Sequence, residues 1–317
     1  MSNKTKGYIF GIIAAATYGM NPLFALPLYA DGLNANQVLL LRYLFALIIL
    51  FIMIKWRGQS MLIEKKQILP LVCLGLLVGF SSLFLFKSYS EMAAGIASTL
   101  LFVYPLMVAV IMTAVYHERL NITTIICILM ALGGVALLYK GEDGATLSAY
   151  GTVLVMLSAL SYAIYLVWVN RPAFKNIPTL VLSFYVISFG SSIFLIEPIT
   201  TGNISLPSSA LTWGCAIALG LLPTAISLVC TTIAIQKIGS TPTAILGAIE
   251  PLTAIFFGMV VFGETLTQRD VIGLSLILIA VSIVIAGDNI SVALLRMRKM
   301  FPAFYNKLRR DKTHNVK

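Results

Sequence analysis

The chain has 317 residues, of which 59% are hydrophobic and only 11% are charged, and its mean hydropathy is +0.95. Soluble proteins carry about 25% charged residues, so this composition excludes an ordinary soluble domain and predicts a polytopic membrane protein. The net charge of +10 would suggest nucleic-acid binding in a soluble chain, but here it follows from membrane topology.

Hydrophobic stretches of about 20 residues follow one another along the chain, and each is long enough to cross a hydrocarbon core about 30 Å thick. Uninterrupted runs of this length predict helices, because a helix satisfies its backbone hydrogen bonds internally, whereas the strands of a membrane barrel would alternate in polarity. The ten predicted spans are 7–29, 36–55, 68–88, 93–115, 122–140, 148–168, 178–199, 210–232, 240–263 and 269–287.

Lysine and arginine are distributed unevenly between the two sides of the membrane. With ten spans, both ends of the chain lie on one side, which collects eighteen basic residues against three on the other. The eighteen are Lys4, Lys6, Lys55, Arg57, Lys65, Lys66, Arg119, Arg171, Lys175, Lys237, Arg296, Arg298, Lys299, Lys307, Arg309, Arg310, Lys312 and Lys317; the three are Lys87, Lys140 and Arg269. This bias predicts cytoplasmic termini, and no nucleic-acid partner is expected.

An internal repeat relates the two halves of the chain. Residues 97–120, "ASTLLFVYPLMVAVIMTAVYHERL", align without a gap on residues 243–266, "TAILGAIEPLTAIFFGMVVFGETL". Each half has five spans, and five is odd, so the second half must enter the membrane from the opposite face. The prediction is an all-α integral membrane protein with a 5+5 inverted-topology repeat, which is typical of secondary transporters. The halves are 1–143 and 144–287, followed by a basic cytoplasmic tail, 288–317, that either lies on the inner leaflet or is solvated.

The second half, with its Glu-Pro in span 9 and the Gly-Glu-x-Leu-Thr that closes this span, resembles an EamA domain of the drug/metabolite transporter superfamily. The first half, from "GIIAAATYGMNPLF" to "ERLNITTIICILMALGGVALL", resembles the first EamA domain of such a protein. Many members carry Trp-Gly in the first span where this chain has Tyr18-Gly19. The resemblance implies a ten-helix transporter, often an exporter of amino acids or other small metabolites, and it implies no particular substrate.

Span 1 contains "YGMNPLF", in which Asn21-Pro22 is expected to break the helix. Asn21 offers both a donor and acceptors, so Asn21 and Tyr18 are candidate cavity residues. Gly7, Gly11, Ala15 and Gly19 form a stripe of small residues, and such stripes more often pack against another helix than bind a ligand.

Arg42 and Lys87 are cations placed toward the outer ends of spans 2 and 3. Long basic side chains can extend to the interface while their aliphatic part stays in the membrane, and this is the expectation for both. The alternative is that Lys87 holds an anionic group of the substrate or pairs with Glu91, one turn further on.

Span 6 carries Tyr162, Tyr165 and Trp168. Tyr162 is the repeat mate of Tyr18, so the two tyrosines are predicted to face each other. Tyr165 lies on the same helix face, although aromatic stripes usually serve packing. Trp168 is assigned to the interfacial belt.

Glu250 lies near the middle of span 9, and its repeat mate is Tyr104 in span 4. A charge at this depth costs roughly 2.5–3.5 kcal/mol, so Glu250 should face the protein interior or a cavity. Pro251 is expected to leave the carbonyl of Gly247 without its helical hydrogen bond, which would make a polar notch for a substrate ammonium group or a proton. The alternative is a protonated glutamate that serves only helix packing. Glu118 and Glu264 are read as helix-end anchors or gates.

The sequence contains no Gly-x-Ser-x-Gly, His-Glu-x-x-His or Walker A motif, and neither histidine lies in a predicted span. No enzymatic activity and no cofactor are therefore expected. The leading hypothesis is a secondary transporter of the cell inner (plasma) membrane, expected to export a small organic metabolite such as an amino acid. It would work by alternating access around a midplane cavity, with protons as a candidate coupling ion at Glu250. The alternative is a non-transporting membrane sensor or structural partner on the same scaffold.

Overall fold

The computed structural model describes residues 2–92, 94–117, 122–138, 148–174, 176–201, 205–262, 268, 271–273, 275–280 and 283. All regular secondary structure within these residues is helical. The helices are α1 (Asn3–Tyr18), α2 (Asn21–Ala30), α3 (Ala35–Trp56), α4 (Lys65–Ser88), α5 (Ala94–Leu101), α6 (Tyr104–Tyr116), α7 (Ile122–Leu138), α8 (Ala149–Trp168), α9 (Thr179–Thr201), α10 (Ala210–Gly220), α11 (Ser227–Ile238), α12 (Ser240–Leu246) and α13 (Ile249–Phe262). A π-helical turn, Leu221–Ile226, joins α10 to α11, and a short 3-10 turn, Pro172–Phe174, follows α8.

Six helical segments in the described part of the chain are long and apolar enough to cross a membrane. They are Asn3–Ala30, Ala35–Trp56, Lys65–Ser88, Ala149–Trp168, Thr179–Glu197 and Ala210–Ile238. Shorter apolar helices, Tyr104–Tyr116, Ile125–Gly134 and Val271–Ala280, fall within three of the other predicted spans. The prediction of an all-helical membrane protein is thereby confirmed. The predicted helix-end residues Glu118 and Glu264, and the predicted tail 288–317, lie outside the described residues.

Three of the predicted spans are interrupted near their middle. The residues between the paired segments are Gly19 and Met20 in span 1, Phe102 and Val103 in span 4, and Gly247 and Ala248 in span 9. Each second segment carries a proline in its first turn, at Pro22, Pro105 and Pro251. Proline is tolerated there because the first backbone N–H groups of a helix have no partner within it. The X-Pro pairs therefore begin new helices.

The two halves of the chain share one core. Helix α1 packs against α11, α4 packs against α8 and α9, and α3 packs against α9 and α10. The largest fully buried side chains of the described residues include Tyr43, Tyr104, Tyr165, Phe86, Phe102 and Phe194. Because helices of the first half contact helices of the second on several sides, the helix interruptions are brought together inside the molecule.

At one end of the helices, the turn between α2 and α3 is tied to the connection between α9 and α10. Asp31 accepts hydrogen bonds from the Ser208 amide, at 2.7 Å, and from the Ser208 hydroxyl. The side-chain Nδ2 of Asn34 donates to Oε1 of Glu197 at 2.9 Å. The hydrogen bonds from Ser208 hold the pKa of Asp31 below its usual range.

Candidate functional site

Three small adjoining cavities lie where the helix interruptions meet. The first is lined by Tyr18, Arg42, Ser82, Tyr162 and Thr224, the second by Tyr104, Tyr162, Thr231 and Glu250, and the third by Tyr18, Asn21, Tyr89 and Glu250, among others. Because Tyr18, Tyr162 and Glu250 each line two of them, we treat the three as one central cavity.

Glu250 and its repeat mate Tyr104 meet in this cavity. The Tyr104 hydroxyl donates a hydrogen bond to Oε1 of Glu250 at 3.3 Å. Tyr104 is the first residue of α6 and is 2% exposed, while Glu250 lies half-buried in the first turn of α13. The two repeat-related helix starts thus place a phenol against a carboxyl group.

The backbone around Glu250 differs from the prediction in one respect. The carbonyl of Gly247 accepts a hydrogen bond from the Glu250 N–H at 2.9 Å, so the expectation that Pro251 leaves this carbonyl unpaired is wrong. The physical reason is that the helix ends at Leu246 and restarts at Ile249, which lets a tighter turn bridge the gap. The polar notch consists of side chains, not of a bare carbonyl.

Two glycines allow the interruptions to approach each other. A Cβ at Gly247 would lie 1.5 Å from the Tyr104 hydroxyl oxygen, and a Cβ at Gly19 would lie 2.4 Å from the backbone oxygen of Glu250. Neither distance is compatible with a side chain at the unchanged position. The breaks in spans 1, 4 and 9 are therefore in direct contact around Glu250.

Aromatic rings form the wall of the cavity. The rings of Tyr18 and Tyr162 stack with centroids 6.1 Å apart, and Tyr104 meets Tyr162 edge-on at 5.0 Å. Tyr165 stacks on Tyr162 at 6.0 Å, but its hydroxyl points to Thr232 at 3.4 Å and it does not line the three cavities. Tyr18 and Tyr162, which the repeat predicts to face each other, do so.

Asn21 lies at the first position of α2 and is 2% exposed. Neither Nδ2 nor Oδ1 of this side chain has a hydrogen-bond partner among the residues that the structure describes. It lines the cavity together with Tyr18 and Glu250. A buried amide without a partner is uncommon, and among the described residues this one borders the cavity.

Arg42 does not extend to the interface, so that expectation is wrong. Its side chain is 2% exposed and turns inward from α3, where Nε donates to the Thr224 hydroxyl at 2.6 Å and Nη2 donates to the Pro223 carbonyl at 3.4 Å. The acceptors belong to the π-helical turn that interrupts span 8. Sequence reasoning treated Arg42 as a peripheral cation because the partner helix could not be known.

Lys87 lies apart from the cavity. It is exposed in the last turn of α4 and lines none of the three cavities. The structure gives no ion pair between Lys87 and Glu91, and Glu91 instead accepts a hydrogen bond from Ser148 at 3.5 Å. The predicted site residues that come together are thus Glu250, Tyr104, Asn21, Tyr18 and Tyr162, with Tyr165 behind them.

Among the described residues no group of three or more His, Cys, Asp or Glu side chains is placed to hold a metal ion. What the site offers is hydrogen bonding, charge and aromatic surface. These features define a class: a helical, multi-pass membrane protein with a buried polar cavity at the junction of interrupted helices.

Sequence comparison gives the family. The EamA-like transporter family matches twice, over residues 5–140 and 149–286, and the chain belongs to this family. The resemblance to a protein with two EamA repeats is thereby confirmed.

Relatives share roughly a quarter to a third of their residues with this chain. A protein of Archaeoglobus fulgidus named as an uncharacterized transporter is 30% identical over 187 residues, which cover 59% of this chain and 65% of that protein. The threonine/homoserine exporter RhtA of Salmonella typhimurium is 27% identical over 251 residues, covering 78% of this chain and 80% of RhtA. A solved crystal structure with 18% identity superposes with a TM-score of 0.75 over 88% of this chain and 96% of that chain, which establishes a shared fold.

Proposed function

We propose that the protein is a secondary transporter that exports a small organic metabolite such as an amino acid, by alternating access around the central cavity. Membership of the EamA-like transporter family supports this proposal, as does similarity to relatives named as threonine/homoserine exporters. A complete transporter of this kind would have ten helices as a 5+5 inverted repeat, with halves 1–143 and 144–287 and both termini in the cytoplasm. The positive-inside bias supports that orientation.

The observation that carries the proposal is the meeting of three interrupted helices around buried polar side chains. Interrupted membrane helices are tolerated where they line a cavity, and in transporters they form the substrate site near the midplane. Here the starts of α2, α6 and α13 supply Asn21, Tyr104 and Glu250 to one cavity. We propose that Glu250, Tyr104, Asn21, Tyr18 and Tyr162 contact the solute and that Tyr165 positions Tyr162.

Glu250 is also the candidate coupling residue. The hydroxyl of Tyr104 is a neutral donor, so it can stay hydrogen-bonded to Glu250 whether the carboxyl group is protonated or ionised. Proton uptake by the carboxyl group would weaken its hold on a substrate ammonium group. Release of solute on one side and of the proton on the other would then couple the two fluxes.

The test is counterflow in proteoliposomes that contain the purified protein. Vesicles are loaded with unlabelled threonine, homoserine, other amino acids, nucleosides or sugars, and uptake of the labelled solute is followed. Faster exchange than in protein-free vesicles is expected for at least one amino acid. No exchange for any member of the panel contradicts the proposal.

A Glu250→Gln variant then tests coupling, with Glu91→Gln as the matched control because Glu91 is an exposed carboxylate that lines none of the three cavities. The expected result is that a proton gradient drives net movement in wild type and in the control but not in Glu250→Gln. A Glu250→Gln variant that transports at the wild-type rate and keeps its pH dependence contradicts coupling through this residue.

A further inference from the structure

Arg42 is a buried cation whose charge is not matched by a carboxylate among the residues that the structure describes. The guanidinium group lies over the ring of Phe86 at 5.3 Å and over that of Tyr18 at 5.9 Å. Its hydrogen-bond acceptors are a neutral hydroxyl and a neutral carbonyl, on Thr224 and Pro223. No carboxylate of the described residues forms an ion pair with it.

The guanidinium also has unused donors. An arginine carries five N–H groups in a planar fork, and Nη1 of Arg42 has no hydrogen-bond partner in the part of the chain that the structure describes. A buried charge that lacks both a counter-charge and full hydrogen bonding is costly. Such a group persists where a ligand completes its interactions.

The surroundings hold the guanidinium in place beside the first cavity. Thr224 donates its own hydroxyl hydrogen to the Leu219 carbonyl at 2.8 Å, so its oxygen is oriented to accept from Nε of Arg42. This bond spans five residues, in the register of the π-helical turn. Arg42 lines the first cavity together with Tyr18 and Tyr162. Two parallel N–H groups on one edge match the two oxygens of a carboxylate.

The cavity lining that the structure describes also includes a carboxyl group, that of Glu250. Tyr18 separates the two: its ring lies next to Arg42, and it lines the third cavity beside Glu250. Tyr162 likewise lines both the cavity of Arg42 and that of Glu250. A buried cation and a half-buried carboxyl group on either side of Tyr18 in an aromatic-walled space are complementary to a zwitterion.

We propose that Arg42 binds the carboxylate of the transported solute, so that the cavity takes an α-amino acid with its carboxylate at Arg42 and its ammonium group at Glu250. This inference rests on the proposed transport function and assigns its substrate class. Arg42 is then a binding residue that selects for the carboxylate. A purely structural arginine that only fastens α3 to the π-helical turn would not distinguish an acid from its amide.

The experiment compares an amino acid with analogues that lack the negative charge. The probes are threonine, threonine amide and the alcohol in which a hydroxymethyl group replaces the carboxylate; if another amino acid exchanges faster, its acid and amide replace threonine. Each analogue competes with the labelled amino acid for exchange in proteoliposomes. The same compounds are tested for thermal stabilisation of the wild-type protein in detergent. Loss of a charge-assisted hydrogen bond predicts that the amide and alcohol bind about 10- to 100-fold more weakly than the acid.

Arg42→Gln supplies the second comparison, and Lys55→Gln is its control because Lys55 is an exposed cation on the same helix. The ratio of acid to amide affinity should fall close to one in Arg42→Gln and stay at the wild-type value in Lys55→Gln. A structural role would weaken both ligands and keep the ratio. If Arg42→Gln does not fold, the wild-type comparison decides alone: equal binding of acid and amide overturns the proposal.

The two proposals fail in different ways. Exchange of an amino acid with no preference for the acid over the amide would overturn the role of Arg42 and leave transport intact. Stabilisation by the acid that depends on Arg42, without exchange of any solute, would support the carboxylate site and overturn transport. No stabilisation and no exchange by any carboxylate in the panel would overturn both.

Discussion

Gly247→Ala should displace Tyr104 from Glu250 without altering either residue. The added Cβ would stand 1.5 Å from the Tyr104 hydroxyl oxygen, and unstrained contacts need about 3.5 Å, so this oxygen must move by roughly 2 Å. A movement of that size breaks the 3.3 Å hydrogen bond to Glu250. Overpacking costs about 1–3 kcal/mol of unfolding free energy, and the lost hydrogen bond adds about 1 kcal/mol.

Tyr104→Phe provides the second arm of a double-mutant cycle. Alone it should cost about 1 kcal/mol, because it removes the same hydrogen bond. In the presence of Gly247→Ala it also removes the clashing oxygen, although the ring carbon behind that oxygen still lies 2.8 Å from the new Cβ. We therefore expect the double variant to lose about 1–2 kcal/mol less than the two single variants together.

The assay is reversible unfolding of the purified protein in mixed detergent micelles, followed by tryptophan fluorescence. Gly214→Ala is the matched control, because a Cβ at Gly214 meets nothing within 4 Å, and its effect should add to that of Tyr104→Phe. If the effects of Gly247→Ala and Tyr104→Phe also add to within about 0.5 kcal/mol, then the hydroxyl does not occupy this position and the described contact is refuted.

Two further predictions concern the frame around the cavity. Gly19→Ala should destabilise the protein by about 1–3 kcal/mol, because its Cβ would meet the backbone oxygen of Glu250 at 2.4 Å and a backbone atom cannot rotate away; a melting temperature equal to that of Gly214→Ala would contradict the close crossing. Asp31→Asn should lower the melting temperature at neutral pH, because Ser208 holds the pKa of Asp31 below its ordinary value of about 4. Because the pKa is lower in the folded protein, the ionised Asp31 stabilises the fold above the unfolded-state pKa, and this stability is lost as the pH falls through the folded-state pKa. The melting temperatures of wild type and variant should therefore become equal in acid. A difference in melting temperature that does not depend on pH would refute the ionic contact.

Much of the helical architecture follows from the sequence because hydrocarbon restricts the backbone to few solutions. Apolar length alone predicts spans 36–55 and 68–88, and the structure contains helices at Ala35–Trp56 and Lys65–Ser88. Proline chemistry predicts the break at Asn21-Pro22 and the disturbed backbone before Pro251. It does not tell on which side of the proline the chain turns. For this reason the Gly247 carbonyl was wrongly predicted to lack a hydrogen-bond donor.

The part of the candidate site that depends on a rare residue within one span was predictable. The part that depends on contact between two spans was predicted only incompletely. Glu250 stands out because it is the only charged residue between Lys237 and Glu264, and the internal repeat links it to Tyr104. Arg42 and Lys87 look alike in sequence, since each is a cation toward one end of an apolar run. Only the packing of α3 against the π-helical turn separates the buried arginine from the exposed lysine.

The unpaired polar atoms of Asn21 and Arg42 have a consequence for the evolution and engineering of the protein. Each buried polar group without a partner lowers stability by about 1–3 kcal/mol, and an apolar side chain of similar size would remove that loss. The native chain is therefore not the most stable version of its own fold. Where stability and activity compete in this way, a screen for heat resistance alone would alter these two positions early, and the more stable proteins it returned would have lost the groups that we propose bind the solute.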